Sequence, residues 1–389
     1  MISVEEAKRI MGDRVRVLAH EEVPLKDARA RVLAADVHAP YPHPLFDMSA
    51  VDGYAVGNAD GPWSVVVDIA AGDAPDTALK EGQCARIFTG GMVPANTYAV
   101  IMQEHCEVGP DGVRTSNTAL RPGANIRRRA EQCKVGDLLS ATGAILGPSV
   151  IGHLASCGVQ HVVVSKRPRI TIVRTGGEFI TETPPEAGRI FSSNDHMLAA
   201  ALQQAGIPAS DTICAKDVRE EIRDALLRAA QGSDLVITTG GVSVGDHDLL
   251  LPVLTELGAT IHFHGIAQKP GKPMLFATLN DVPVFALPGN PRAVIVLYWE
   301  YVLPYVRAIQ GWRHPWLRSD ELPITHSLTT KGERSEFRSA RVSNGKVTLL
   351  ADEGSHMLHS LTEADALAYL PATKRAWSEG ETIEVHYLP

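Results

Sequence analysis

The stretch DLVITTGGVSVGDHDLL (residues 234–250) joins one apolar run to another through a turn that contains three glycines. The first run, LVITT, is short and rich in β-branched residues, which is typical of a strand buried on both faces. Gly240 and Gly241 follow at once, and glycine adopts the conformations that a sharp turn needs. Apolar residues return from Leu249. The stretch therefore predicts a strand, a turn and a helix, and the turn is either a simple reversal or a cradle for an anion.

The same alternation extends on both sides of this stretch. Strand-like and helix-like runs follow one another from RITIVRT (169–175) to ATIHFHG (259–265). Two shorter strands, MLFATL and VPVFAL, flank an Asn280–Asp281 turn, and Pro291 begins an apolar helix that we expect to reach about Gln310. This order predicts an α/β domain with a parallel sheet, whose ligands bind at the carboxyl ends of the strands.

The sequence on either side of this α/β region has a different pattern of apolar and polar residues. Ser3 and Glu6 form a capping-box pattern before a first helix, and PLKDARARVLAADVHAP (24–40) predicts a second one. Short alternating runs between residues 46 and 120 predict an inserted β-rich unit, after which residues 121–165 return to the N-terminal unit. Strand-like runs from residue 312 onward predict a small β-barrel or sandwich.

The composition limits the function classes. Apolar residues make up 44% and charged residues 21%, as in globular proteins. The 37 Lys and Arg against 45 Asp and Glu give a net charge of −8, which argues against a nucleic-acid or membrane-surface partner. Five cysteines without a CxxC pair favour neither zinc nor disulfides. With no leader-like or membrane-spanning run, we expect a cytoplasmic protein.

Three glycine loops end strands of the expected sheet: VRTGGE (173–178), TTGGVSVGDHD (238–248) and LPGNPR (287–292). Glycine lets the backbone approach a ligand closely, and main-chain N–H groups beside a helix favour anions. Gly176, Gly240, Gly241, Gly289 and Asn290 are therefore candidate binding residues. None of the loops has the spacing of a P-loop or a dinucleotide-binding motif.

Two charged pairs are ambiguous from their local sequence. Lys269 and Lys272 in QKPGKP stand in a loop stiffened by proline and glycine, which suits an oxyanion but also an exposed basic hairpin. Asp246 and Asp248 either cap and begin the following helix or share a hydrated Mg²⁺ with ligand phosphates. Both alternatives stay open for each pair.

Nine motifs in order give the chain a family resemblance. They are FDMSAVDGYAV, RIFTGGMVP, VIMQE, RTGGE, TTGGVSVGDHD, KPGKP, LPGNP, SEFRSARV and LTEADALAYLP, between residues 46 and 371. In this order they resemble the molybdopterin molybdotransferases, the molybdenum-insertion enzymes that include the C-terminal domain of gephyrin. The resemblance covers essentially the whole chain.

The resemblance implies an architecture and a reaction. The architecture has four domains: a composite elongated domain (1–45 and 121–165), an inserted β-rich domain (46–120), an α/β domain of the molybdopterin-adenylyltransferase type (166–311) and a C-terminal β-barrel (312–389). The reaction is adenylyl-molybdopterin plus molybdate giving molybdenum cofactor and AMP, assisted by Mg²⁺. The resemblance also implies a homodimer with its active site in a cleft shared between subunits, and other cofactor-synthesis proteins are possible partners.

The resemblance assigns site residues by matching motifs. Those expected on the pyrophosphate side are Asp52, Thr89, Glu178, Asp234, Ser243, Asp246 and Asp248, of which Asp52, Glu178 and Asp234 are the catalytic candidates and the last two the Mg²⁺ ligands. Those expected around molybdate are Lys269, Lys272, Pro273, Arg334 and Ser355.

The chain also departs from the family pattern. An acid is usual where this chain has Tyr98, Gln132, Gly177 and Ser192. Around the oxyanion, Arg292 and Ala293 follow GNP, Ser355-His356-Met357 replaces a Ser-Ser-Arg run, and Ser339 stands where an arginine is common. An arginine at 292, 338 or 341 is a candidate for rebuilding the oxyanion pocket.

These departures keep two other functions open. One is a divergent, non-catalytic paralogue that binds pterin or serves as a protein scaffold. The other is an enzyme for a different oxyanion, such as tungstate, or for a different nucleotide-linked substrate.

Overall fold

The computed structural model describes residues 1–116, 120–180, 187–209, 211–242, 249–351, 354 and 356–389. It separates into two compact units, one formed by residues 1–21 and 165–389 and the other by residues 22–164. The strand His20–Pro24 begins in the larger unit and ends in the smaller one. The strand His161–Ser165 begins in the smaller unit and ends in the larger one. The division into four domains stays a prediction.

A six-stranded sheet forms the centre of the larger unit. Its strands follow the order Asp211–Ala215, Ile170–Thr175, Leu235–Thr239, Val282–Leu287, Leu275–Leu279 and Thr260–His264. The first four are parallel, and the last two join antiparallel. Asn280 and Asp281 have φ of 50° and 65°, the left-handed conformation that a tight hairpin turn requires. The predicted α/β architecture is therefore confirmed, with a mixed sheet.

Helices cover the sheet on both faces. They are Val4–Gly12, Asn194–Gln204, Arg219–Gly232, Leu250–Glu256, Pro291–Leu297 and Leu303–Ile309, with a π-helical segment Tyr298–Val302 between the last two. Ser3 caps the first helix, because its Oγ accepts a hydrogen bond from the Glu6 main-chain N at 3.1 Å. One core contains Phe276 and Phe285, whose ring centroids are 4.8 Å apart, and the core on the other face contains Leu226 and Leu254.

A second sheet occupies the C-terminal part of the larger unit. Its strands follow the order Gln268–Lys269, Ser335–Ser343, Ala366–Leu370, Thr382–Tyr387 and Ser319–Pro323, and Lys346–Leu349 also pairs with Ser335–Ser343. Three smaller elements complete this unit: the strand pairs Leu328–Thr329 with Ala376–Trp377 and Phe179–Ile180 with Ile190–Phe191, and the helix His359–Thr362. A β-rich C-terminal region is confirmed, whereas its closure as a barrel stays a prediction.

The smaller unit contains a four-stranded sheet in the order Ser64–Ile69, Gln83–Ile87, Gly53–Val56 and Ala99–Met102. Its other elements are the hairpin Cys106–Gly109 and Gly112–Thr115, the strand pairs Met48–Ser49 with Ile126–Arg127 and Val37–His38 with Leu138–Ser140, the 3-10 helices Leu25–Asp27 and Gln103–His105, and the helix Pro148–Ser156.

The helix predicted for residues 24–40 was wrong. Only Leu25–Asp27 is helical there, as a 3-10 turn, and Ala30 has a left-handed φ of 59° that interrupts an α-helix. The Ala30 and Leu33 amides donate to the carbonyls of Leu146 and Ala144 at 3.0 and 2.9 Å. These main-chain bonds to a distant segment replace the local bonds of a helix.

Candidate functional site

The strand-end glycine loops lie side by side at the carboxyl edge of the central sheet. The sheet register places Arg174 beside Thr239 and Thr239 beside Leu287. The Gly240 amide donates to the Leu287 carbonyl at 3.1 Å, and the Gly176 amide donates to the Ala215 carbonyl at 3.1 Å. The structure therefore brings Gly176, Gly240 and the 287–292 loop together.

Gly240 is needed for this close approach. Its φ is 95°, and a Cβ there would lie 2.6 Å from Thr175 Oγ1 and 2.8 Å from the Thr175 carbonyl oxygen. Gly241 has a φ of 64°, and its Cβ would lie 3.2 Å from the same Oγ1. These glycines are thus required by the turn itself, whether or not it binds a ligand.

The amides at this edge have different roles. Those of Gly176 and Gly240 are engaged in main-chain hydrogen bonds. Those of Gly241 and Gly289 donate to no atom of the residues that the structure describes. Of these four amides, the second pair is therefore the one that an anion could use.

Asn194 holds two of these loops together. Its Nδ2 donates to the Gly289 carbonyl at 2.8 Å and to Thr239 Oγ1 at 2.9 Å. Its Oδ1 is buried and accepts no hydrogen bond from the described residues. No motif in the sequence pointed to Asn194, although its place in FSSND, two residues after the expected acid position Ser192, was a usable signal.

Acids stand beside two of the positions where the family pattern has one and this chain does not. The Gly177 amide donates to Asp217 Oδ2 at 3.3 Å, and the Ser192 hydroxyl donates to Asp195. Burial alone would raise the pKa of Asp195, but the hydrogen bond from Ser192 and the nearby Arg174 outweigh it and lower that pKa. No motif pointed to Asp217. It lies here because it follows the edge strand Asp211–Ala215.

The two catalytic candidates of this unit lie at different edges of the sheet. Glu178 folds over Gly176, since a Cβ on that glycine would lie 2.3 Å from Glu178 Oε2. Asp234 instead precedes the strand Leu235–Thr239 and accepts from the Arg169 amide at 2.8 Å at the amino edge. Five strand residues, or about 17 Å, separate it from the glycine loops. The structure therefore does not bring Asp234 together with these loops, and its catalytic role stays a prediction.

A cavity of about 200 Å³ gathers most of the residues expected around the oxyanion. Its lining consists of Lys269, Pro270, Gly271, Lys272, Pro273, Pro288, Asn290, Arg292, Ala293, Arg334, Glu336, Phe337 and Arg338. Among the described residues, five basic side chains and one carboxylate thus line it. Lysines 269 and 272, Pro273, Asn290 and Arg334 were all candidates from the sequence.

The lysine loop is fixed to the C-terminal sheet. Gln268 and Lys269 pair with Ser335 and Glu336. The buried Gln268 accepts a hydrogen bond from the Tyr301 hydroxyl, and its Nε2 donates to the Pro270 carbonyl at 2.8 Å. A Cβ on Gly271 would lie 2.7 Å from the Leu297 side chain, so the loop also packs closely on a helix. These contacts distinguish it from a freely exposed basic hairpin.

The described lining of the cavity has more basic than acidic residues. The one acid among them, Glu336, is buried and accepts from Arg338 Nε and Nη2 at 2.8 and 2.6 Å. Neither Lys269 nor Lys272 forms an ion pair with a described residue. A small anion is the ligand class that this arrangement of charge favours.

In the smaller unit, two further candidates contact each other. Asp52 Oδ1 accepts from the Thr89 amide and hydroxyl, each at 2.7 Å. These two hydrogen bonds, that of the amide first, lower the pKa of Asp52, so the carboxylate is ionised at neutral pH. The motifs DGYAV and TGGMVP therefore form one joined feature.

Four candidates, Ser243, Asp246, Asp248 and Ser355, lie outside the described residues. Within the described ranges, no group of three or more His, Cys, Asp or Glu side chains is arranged to hold a metal ion. Among the same residues no helix is both long and apolar enough to cross a membrane.

The sequence models of three protein families match successive parts of the chain. They are the MoeA N-terminal region (domain I and II) at residues 2–158, a probable molybdopterin binding domain at 171–308 and the MoeA C-terminal region (domain IV) at 321–388.

Relatives match over the full length. The chain is 35% identical to the molybdopterin molybdenumtransferase of Nostoc sp., covering 100% of this chain and 94% of that protein. It is 32% identical to molybdopterin molybdenumtransferase 2 of Mycobacterium tuberculosis, covering 99% of each. The crystal structure of the molybdopterin biosynthesis moeA protein from Pyrococcus horikoshii superimposes with a TM-score of 0.83, at 26% identity and with 100% of each chain covered.

Proposed function

The chain belongs to the molybdopterin molybdenumtransferase family, and we propose that it inserts molybdate into adenylyl-molybdopterin, yielding molybdenum cofactor and AMP. The cationic cavity beside the strand-end loops is the observation that carries this proposal. Molybdate is a small tetrahedral dianion, and a dianion needs several fixed donors of positive charge.

Each side of the cavity has a separate task in this proposal. Lys269 and Lys272 supply point charges from a stiff loop, and Arg334 is oriented by donating to the Gln268 carbonyl at 3.3 Å. The rigid loop lowers the entropy that is lost when the anion binds. The cavity thus holds molybdate against the site where the pterin dithiolene must receive it.

The phosphate groups of adenylyl-molybdopterin belong at the glycine edge in this proposal. The Gly241 and Gly289 amides are donors available for them among the described residues, and the Asn194 side chain fixes the Gly289 loop. The Asn194 Oδ1 is an acceptor at the same edge and suits an N–H donor of the pterin or adenine. Glu178 and Asp217 are the nearby groups that can hold or move a proton.

Mg²⁺ stays a proposal, with Asp246 and Asp248 as its ligands. The described acids of the glycine edge do not form a metal site by themselves. When bound, the ion would neutralise phosphate charge and so assist cleavage of the phosphoanhydride. A homodimer, a cytoplasmic location and contacts with other cofactor-synthesis proteins likewise stay predictions.

A reconstitution assay tests the proposed function. Purified protein, adenylyl-molybdopterin, molybdate and Mg²⁺ are mixed, and transfer of the product to a molybdenum-free molybdoenzyme is measured by that enzyme's activity. We expect activity that depends on the protein, and tungstate in place of molybdate tests the choice of oxyanion. A scaffold protein would bind adenylyl-molybdopterin without activating the molybdoenzyme.

A lysine substitution links this assay to the cavity. Lys272→Ala should raise the molybdate KM about tenfold or more, because it removes one charge-assisted contact. Lys346→Ala is the matched control, since Lys346 lies on an exposed hairpin of the C-terminal sheet and does not line the cavity. Equal effects of the two substitutions would place molybdate elsewhere.

A further inference from the structure

We propose that Cys133 and Cys157 form a dithiol that hydrogen peroxide converts into a reversible disulfide, which braces the smaller unit. Both cysteines lie within residues 22–164, so the pair belongs to one compact unit. The sequence spacing gave no sign of such a pair, because the two cysteines are 24 positions apart. This dithiol and the proposed function are independent of each other.

The two thiols are in direct contact inside the protein. Their Sγ atoms are 3.7 Å apart, and Cys133 and Cys157 are only 5% and 2% exposed. Ala39 and the partly buried Leu139 pack with them in one small apolar cluster. A bond needs the two sulfurs closer by about 1.7 Å, a movement that small rotations about the Cα–Cβ bonds can supply. The pair is therefore placed to react with itself.

A second contact holds the same two segments together. Gln132, the residue before Cys133, has its Nε2 3.2 Å from Nδ1 of His153. His153 lies in the helix Pro148–Ser156, four residues before Cys157, and residues so spaced lie on one face of a helix. Two neighbouring loop residues thus meet two side chains one helical turn apart. The sulfurs are held together by more than their own contact.

Main-chain hydrogen bonds fix the backbone on both sides of the pair. The Cys133 amide donates to the His43 carbonyl at 3.2 Å, and the His43 amide donates to the Cys133 carbonyl at 2.9 Å. The Cys157 amide donates to the His153 carbonyl at 3.2 Å, where the helix ends. Two reacting groups that are held in place have a high effective concentration, which favours a bond between them over reaction with outside thiols.

The other three cysteines have different surroundings and serve as internal controls. The buried Cys84 directs its thiol to the Trp63 carbonyl oxygen at 3.8 Å, and the Cys106 thiol donates to the Met102 carbonyl at 3.4 Å. Cys214 is exposed. None of the three has another thiol within hydrogen-bonding distance among the described residues. Cys84 is thus the control for burial, and Cys214 is the control for exposure.

The oxidation proceeds in two balanced steps. Cys133, the more exposed of the pair, loses its proton and attacks hydrogen peroxide, which gives a sulfenic acid and one water. The Cys157 sulfur then displaces the sulfenic hydroxyl, which leaves with the Cys157 proton as a second water, and the S–S bond forms. Burial raises the pKa of the Cys157 thiol, which keeps it protonated at neutral pH. A small uncharged oxidant such as peroxide suits this buried pair.

Peptide mapping tests the proposal on the intact protein. The reduced protein is treated with hydrogen peroxide, unfolded, alkylated and cut with trypsin without reduction. Lys134 lies between the two cysteines, so trypsin places them in separate peptides that remain together only through a disulfide. We expect this linked pair to be the main oxidised form of Cys133 and to disappear on treatment with dithiothreitol.

The control cysteines show whether the oxidant was effective. Oxidised Cys214 beside reduced Cys133 and Cys157 would overturn the proposal. Separate sulfinic acids at these two positions, or a bond from either one to another cysteine, would overturn it as well. Cys214→Ser should leave the linked pair unchanged, because this exposed thiol takes no part in the reaction.

Thermal unfolding tests whether the bond braces the smaller unit. A bond across 24 positions restricts the unfolded chain, so the oxidised wild type should unfold about 5 °C or more above the reduced protein. Cys133→Ala cannot form the bond and should show no such difference, and the comparison within the wild type does not depend on that variant. An oxidised wild type that contains the linked pair and unfolds at or below the temperature of the reduced protein would overturn the bracing role.

Discussion

Gly240→Ala should destabilise the protein by more than the left-handed backbone alone would predict. A non-glycine residue at a positive φ costs about 1–2 kcal/mol, and Gly240 has a φ of 95°. The new Cβ would also lie 2.6 Å from Thr175 Oγ1 and 2.8 Å from the Thr175 carbonyl oxygen, both too short for contact. Relieving such an overlap typically costs a further 1–3 kcal/mol or so. The sum is about 2–5 kcal/mol.

Gly345→Ala isolates the backbone contribution. Gly345 has a φ of 69°, and its Cβ would meet no atom within 4 Å. Urea unfolding followed by far-ultraviolet circular dichroism gives the free energy of unfolding of both variants. We expect Gly240→Ala to be the less stable by about 1–3 kcal/mol and to lose cofactor synthesis, because the loop must shift. Equal stability of the two variants would refute the close approach of the Gly240 loop to Thr175.

Three further predictions concern other parts of the molecule. Burial lowers the pKa of His386, but hydrogen bonds with Glu300 and Glu384 raise it to about 9. Protonated His386 therefore stabilises the folded state, fully below pH 6.5 and no longer once the pH has risen through 9. The free energy of unfolding in urea should fall by about 3 kcal/mol over this range, and Glu300→Gln should make that fall smaller. A pH-independent stability over that range would contradict this coupling. Asp217→Asn should keep stability within about 0.5 kcal/mol, because the residue is exposed, but should slow AMP release measured by chromatography; unchanged release would exclude a role in turnover. Gly152→Ala, inside the helix Pro148–Ser156 and with open space around its Cβ, should raise the free energy of unfolding by about 0.5–1 kcal/mol in urea titrations. A loss of stability there would contradict an exposed helical position.

Elements that depend on local chemistry could be predicted from the sequence. The Ser3 cap, the Asn280–Asp281 turn and the helix from Pro291 follow from the hydrogen-bonding and dihedral preferences of those residues, and the structure confirms all three. The strands of the central sheet were predictable because a buried parallel strand is apolar throughout. The edge at which the loops gather follows from strand direction alone.

Features that depend on long-range contacts could not be predicted in the same way. Residues 24–40 have a helix-like pattern, but Leu33 hydrogen-bonds with Ala144, more than 100 residues away. Periodicity also carries no information on where a buried charge finds its partner. Glu300 interrupts an apolar helix in the sequence, and the structure shows it bonded to Lys8 at 2.9 Å and to His386 at 2.7 Å.

The residues of the candidate site also fall into those that the sequence predicts and those that only the fold reveals. The motifs identified Lys269, Lys272 and Arg334, because residue type and loop stiffness indicate an oxyanion. The partners of Arg292 required the fold, since Ser339 and Ser360 approach it from another sheet and another helix. Asp234 was assigned by motif position alone, and strand direction places it at the opposite edge from the glycine loops.

The ratio of AMP released to molybdenum inserted tests the proposed reaction. Purified protein is mixed with adenylyl-molybdopterin in excess, molybdate is added in known amounts, and both AMP and pterin-bound molybdenum are quantified from the same samples. We expect AMP and pterin-bound molybdenum to rise together in a one-to-one ratio, and both to rise with added molybdate until it is saturating. AMP release that is absent, or that proceeds without molybdenum becoming bound to the pterin, would refute molybdate insertion by this protein.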